Sequence, residues 1–233
     1  VAAGDFDEPV RAWEGIPQSY HCTEHLDFAA AHPADGAPPP DQAGLRTWIV
    51  PAFAHPLGTA TMMPGMGKGH HALMGRYAHM AVLTAMVHDH TKGVVTPKGD
   101  RGLSIQYKPL PEDERELLFG LRACARLLFA AGARRVFIAS DPGQVLESVD
   151  DLQRFPEFDQ ASGRMDVTAV HPMGSVPMGD DPTTHAVGSD GKHHHTEGLW
   201  IADGSLFPTS IGVPPQISIY TMGLHVGRAV ARS

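Results

Sequence analysis

Apolar positions along this chain recur with two periods, one near 3.6 residues and one of two, and each predicts its own kind of element. From Glu112 to Ala131, Leu117, Leu121, Cys124 and Leu128 fall along one helical stripe, with acidic residues in the first turn. That order predicts a helix with its acids at the positive end of the dipole, closed by Gly132, which tolerates the left-handed turn that ends helices. Gln216 through Val230 has the same rhythm, with Ile219, Met222, Val226 and Val230 on one side and Pro215 as the first helical residue, where no N–H is lost. Leu73, Tyr77, Met80 and Thr84 also keep near-helical spacing.

The shorter period marks strands. Val94 to Thr96 and Leu103 to Tyr107 alternate around the turn KGDRG at 98–102, which predicts a hairpin. ARRVFIAS at 133–140 reads as another strand, and Tyr20 to Phe28 as an extended segment. Leu199, Trp200, Ile201 and Ala202 form an apolar run between Gly198 and Asp203-Gly204, the pattern of a buried parallel-sheet strand ending in a sharp turn. The stretch at 31–44, AHPADGAPPPDQAG, reads as an exposed proline-rich and glycine-rich loop, and no internal repeat is present.

Composition narrows the class. The 233 residues suffice for one large or two small domains, and 42% hydrophobic residues can fill a core. A formal charge of −8 without a run of lysines and arginines argues against nucleic acid and against a basic membrane anchor. No apolar stretch approaches the roughly 20 residues of a membrane span. A soluble globular chain is expected, with the compartment left open and the cytoplasm as the default. Cys22 and Cys124 stand about a hundred positions apart and offer no disulfide framework.

The chemistry concentrates in HPMGSVPMGDDP (171–182) and GLWIADGSLFPTSIGVPPQISIYTMGLHVGRAV (198–230). Active-site residues often lie at strand ends, as Asp203 and Gly204 would, and the helix opening behind Pro215 presents unpaired N–H groups and a positive dipole end to any anion against it. His171, in a glycine turn, has the pKa range of a general base near neutral pH.

These residues resemble the C-terminal signature of the glucose-methanol-choline family of flavin oxidoreductases. The resemblance implies that His171 faces the flavin ring, and that Asp203 with Gly204 meets the ribityl and phosphate portion of FAD. It also implies that Pro215, Gln216 and Ile217 open a helix toward the flavin pyrimidine edge, where reduced flavin carries negative charge. Upstream, EPVRAWEGIPQSY (8–20), residues 55–95, LSIQYKPL (103–110) and LLFAAGARRV (127–136) are similar to the long-chain alcohol oxidase branch. The implied fold is α/β plus α+β, the C-terminal part of a Rossmann-like FAD-binding domain joined to an antiparallel-sheet substrate domain. Its expected boundaries are 1–45 for a connecting segment and the start of the substrate domain, 46–164 for the substrate domain, and 165–233 for the cofactor portion.

No Gly-x-Gly-x-x-Gly follows a strand near the start, although the family needs that turn for the dinucleotide pyrophosphate. Because the chain also begins at Val1, it reads as the C-terminal portion of a longer or split enzyme, partnered by an N-terminal FAD-binding half that carries the glycine turn. The implied reaction is FAD-dependent oxidation of a hydrophobic alcohol, with His171 as base.

The second catalytic position departs from the family. Where Asn or His precedes the proline, this chain has Pro214, which has no donor. Gln216, a histidine of 193–195, a group from the missing half, or an ordered water remain open as partners of His171. The HHH run at 193–195 sits in a polar turn whose neighbours cannot easily converge on one ion, so no metal is expected there. Asp89, between His88 and His90, reads as structural. Met62, Met63, Met66 and Met74, with Leu57, Leu73 and Phe53, read as core or as the lining of an apolar substrate site. Alternatives of other kinds are a flavin-dependent lyase or decarboxylase, a non-catalytic lipid-binding module and a histidine-rich metal carrier.

Overall fold

A computed structural model describes residues 1–16, 18–26, 46–53, 55–100, 102–140, 143–154 and 167–233. In chain order the elements are β1 (Ala2–Asp5), β2 (Thr47–Pro51), α1 (Pro56–Met62), α2 (Gly67–Met74), β3 (Met80–Val87), β4 (Val94–Lys98), β5 (Gly102–Gln106), α3 (Pro111–Ala130), β6 (Arg135–Ile138), β7 (Gln144–Leu146) and α4 (Gln216–Val230). Short 3-10 turns at Tyr77–His79, Val149–Arg154 and Gly204–Leu206 join them. The loop expected at 31–44 lies outside the described residues. Contacts group the chain into two units: Val1–Val87 with Pro111–Val167, and His88–Leu110 with Thr168–Ser233.

The first unit is an antiparallel sheet of order β2-β3-β1-β6-β7 with α3 on one face. Because strand side chains alternate, its residues divide between two cores. Ala2, Val136 and Ile138 join Leu118, Leu121, Cys124 and Leu128 of α3, while Ala3 and Phe137 join Met63, Met80 and Val82 on the other side. Small residues in β1 allow the helix to approach closely, and a Cβ on Gly4 would lie 3.0 Å from Leu128 Cδ2. Gly132, at φ 97°, ends α3. The Ala133 N–H donates to the Leu128 carbonyl at 3.0 Å and that of Gly132 to Phe129 at 2.9 Å, which satisfies two of the last helical carbonyls.

Buried charge in this unit is paired. The Asp5 carboxylate accepts from Arg76 and Arg135 at 2.8 and 2.9 Å, Arg46 donates to Asp113 at 2.8 Å, and the Thr47 hydroxyl donates to Glu116 at 2.6 Å. Cys22 and Cys124 are free thiols, and burial pushes Cys124 up to about 12.

Two sequence expectations fail here. The helical spacing from Leu73 to Thr84 does not make a helix: α2 stops at Met74, and Met80–Val87 is a central strand paired with β1 and β2. Hydrogen bonds offered by neighbours on both sides outweigh a short-range spacing match. On α3 the core takes Leu118, while Leu117 is only half-buried. The extended reading near Tyr20 survives as antiparallel bridges from Cys22 to Ile49 and from Leu26 to Arg46.

The second unit has a small core, with Val187, Leu206 and Val226 fully buried and Val176, Met178, Trp200, Ile201 and Met222 packed around them. The hairpin forms as expected from β4 and β5. The parallel strand expected at Leu199–Ala202 does not. Its residues have one antiparallel bridge, Lys192 to Trp200, and Leu199 is exposed. A strand exists only through its ladder partners, and around that bridge this run has the bonds from the His193 N–H to the Leu199 carbonyl at 3.0 Å and from the Ile201 N–H to the Gly191 carbonyl at 2.9 Å, both antiparallel and too few for a ladder. The described fold is thus mixed α and β with antiparallel sheets. No described helix is long and apolar enough to cross a membrane.

Candidate active site

Gly204 is the residue on which the site converges. A Cβ placed there would lie 3.3 Å from Ile219 Cδ1 of α4, 3.4 Å from the Pro172 carbonyl oxygen and 3.7 Å from Met173 Cγ. The turn carrying His171, the Asp203-Gly204 turn and the first turn of α4 therefore meet around a position that only glycine fills without displacing a neighbour. Gly174, at φ 76°, completes the His-Pro-Met-Gly turn and would place a Cβ 3.3 Å from the Phe207 carbonyl. These three segments are the ones the sequence singled out.

His171 is half-buried, and desolvation lowers its pKa below the ordinary imidazole value. A neutral imidazole results at neutral pH, the form that accepts a proton. Asp203 is committed locally. Its carboxylate caps the turn at Gly204–Leu206, accepting the Ser205 N–H at 2.8 Å and the Ser205 hydroxyl. Those two donors hold its carboxyl below the usual carboxylate range. Ser205 was not singled out from the sequence, although Asp-x-Ser is a recognisable turn signature.

Pro215 is buried and sits at the position before the first helical residue, one earlier than the sequence predicted. No side chain caps this end of α4. The first helical bond runs from the Ile219 N–H to the Pro215 carbonyl at 2.8 Å, so the N–H groups of Gln216 and Ile217 precede the ladder and are donors for an anion. The Gln216 amide donates to the Tyr220 hydroxyl at 2.8 Å within the same helix. Ile217 projects its side chain outward, with 81% exposure. Pro214 is exposed.

The histidines of the 193–195 run are engaged elsewhere. His194 and His195 donate from Nε2 to the carbonyls of Gly179 and Pro182 at 2.9 and 3.1 Å, and the His195 N–H donates to His193 Nδ1. An open polar cavity of about 470 Å³ is lined by Asp180, Asp190, Lys192, His193 and His194 among others. His171 and Asp203 are not in its wall. Asp89 accepts from the Tyr107 hydroxyl and braces the base of the hairpin. Gly212, at φ 71°, lies against the His88 ring, an anchor between residues 124 positions apart that no sequence pattern announced. The methionine group divides: Met63 is buried with Met62, Leu73 and Met74 beside it, whereas Met66, Leu57 and Phe53 are exposed.

Comparison with known proteins identifies the family. The family model for GMC oxidoreductase matches residues 89–223. An uncharacterised GMC-type oxidoreductase of Mycobacterium tuberculosis is 33% identical over 229 residues, covering 97% of this chain and 33% of that protein. A long-chain-alcohol oxidase of Arabidopsis thaliana is 28% identical over 246 residues, covering 99% of this chain and 30% of that one. The crystal structure of pyridoxine 4-oxidase from Mesorbium loti superposes with a TM-score of 0.52 at 16% identity, over 80% of this chain and 34% of that chain. The chain thus spans about a third of the length of these relatives. With more than half of its residues inside the family model, and a relative aligned across nearly all of it, the chain belongs to the GMC oxidoreductase family.

Proposed function

We propose that this chain supplies the base and one wall of a FAD-dependent enzyme that oxidises a hydrophobic alcohol, working with a flavin-binding portion that carries the glycine-rich turn. The observation that carries this reading is the meeting of the His171 turn, Gly204 and the uncapped start of α4. The donor set fits a flavin: backbone N–H groups of Gln216 and Ile217 at a helix start that no side chain caps, suited to the negative charge of a reduced ring. When bound, FAD would accept two electrons and a hydrogen from the carbinol carbon.

The chain's own residues do the rest. His171, kept neutral by desolvation, takes the hydroxyl proton of the alcohol on its ring nitrogen. Gly204 lets the His171 turn and the first turn of α4 pack closely together, and Asp203 holds the turn through Ser205. Gln216 adds a side-chain amide at the helix start once it releases Tyr220, and is our choice for the second polar group facing the substrate oxygen. A long aliphatic chain is the favoured substrate class, in line with the Arabidopsis relative.

Anaerobic addition of a fatty alcohol to the native assembly tests this. The flavin absorption band should bleach, and aldehyde should appear in one-to-one yield. A colourless assembly, or a flavin that stays oxidised with every alcohol tried, rules the reading out.

A further inference from the structure

The second unit has several large apolar side chains exposed to solvent, and they lie in ordered rows. On α4, Ile217, Tyr220 and Leu224 are 81%, 66% and 57% exposed and stand at i, i+3 and i+7, opposite Met222 and Val226. In the hairpin, cross-strand register pairs Val95 with Ile105 and Pro97 with Leu103, so one face carries these four residues while Val94, Thr96, Lys98, Ser104 and Gln106 lie on the other. That apolar face is bare: Val95, Leu103 and Ile105 are 49%, 68% and 71% exposed. An apolar face opposite a mostly polar one, with Val94 the exception, is the pattern of a hairpin with a covering layer, and a two-stranded hairpin alone is marginal in water.

We infer that the flavin-binding portion covers both faces, so that the Val95-Pro97-Leu103-Ile105 face and the Ile217-Tyr220-Leu224 stripe form its docking surface. This rests on the proposed function, in which such a portion belongs to the working protein. The occupant follows from length: the relatives are about three times as long as their match to this chain, so most of each has no counterpart here. The same contact explains how α4 can aim its N-terminus at a cofactor held mainly by another segment. The helix's own outer face is then clamped to the segment that holds it.

Hydroxyl-radical footprinting of the native assembly, normalised to intrinsic side-chain reactivity, reads this directly. Leu103, Ile105, Tyr220 and Leu224 should be protected at least tenfold relative to freely exposed side chains. In a second measurement, Leu103→Lys with Ile105→Lys, or Leu224→Glu alone, should weaken retention of the flavin-binding portion at least tenfold, while circular dichroism of the variants remains native. Free-surface reactivity at these side chains in a flavin-containing assembly overturns the docking surface and leaves the functional reading standing. An assembly with no flavin-binding portion sinks the functional reading itself, and the docking surface with it. Protection that vanishes on dilution as the mass halves, with flavin still stoichiometric, assigns the surface to a second copy of this chain and also overturns the inference.

Discussion

The two units of this chain solve the folding problem differently. The sheet unit buries thirteen residues in one cluster between α3 and the strands, with a second cluster on the opposite face, and its interior charges are matched by arginines or hydroxyls. The unit containing His171 has a hydrophobic cluster of only three buried residues among those described, builds its walls from glycine turns at 174, 191, 198 and 212, and leaves a helix face and a hairpin face bare. Apolar burial drives folding at about 25 cal/mol per Å², so the hydrophobic contribution to stability is larger in the first unit than in the second. Candidate chemistry sits on the second, where backbone conformation is specialised and side chains are few.

The largest test of that division is chemical. His171→Asn removes the base but keeps the turn, and kcat/KM for an alcohol should fall by roughly 10²–10⁴ with little change in thermal stability. An active variant would make the second unit a scaffold and remove the contrast.

Leu128→Ala empties part of the sheet unit's core and should destabilise it by about 2–5 kcal/mol. Cys124 provides the readout. Its thiol, pushed up to about 12 by burial, should resist maleimide in the native state and react once α3 opens. Faster labelling of Cys124 with unchanged Trp200 fluorescence would show the units opening independently.

Gly191→Ala strikes the other core. At φ 83° its Cβ would come within 2.6 Å of the Ile201 carbonyl oxygen and of Val226 Cγ2, so a loss of about 2–3 kcal/mol confined to the second unit is expected. Hydrogen exchange should show faster opening at 187–206 and none in α3.

The smallest effect is in pH dependence. Burial lowers the His171 pKa, so the acid limb of kcat/KM should fall with a midpoint below 6.5. For stability the sign follows from linkage: the unfolded chain binds the proton more tightly, so this contribution is present above 6.5 and is lost as pH falls through the folded-state pKa. A rate midpoint above 6.5 would mean that His171 is not the titrating base.

Legibility in the sequence tracked how local each feature is. The span of α3, its stop at Gly132 and the hairpin turn at 98–102 were readable because periodicity and glycine conformation act over a few residues. The site segments at 171–174 and 203–204 were readable because glycines and prolines mark turns by themselves. The helical spacing from Leu73 to Thr84 and the strand pattern at Leu199–Ala202 mislead for one shared reason: strand identity depends on partners elsewhere in the chain.

The sequence by itself determined the chemical inventory, namely an imidazole in a glycine turn, an Asp-Gly turn and a helix opened by prolines, together with the family these imply. Only the tertiary structure decided that Gly204 is where the three meet, that His171 is desolvated there, and that Met80–Val87 is the strand between β1 and β2. Turn and helix preferences are encoded in neighbouring residues. Desolvation, close approach and strand pairing are properties of residues brought together from distant positions, so they arise only when the chain has folded.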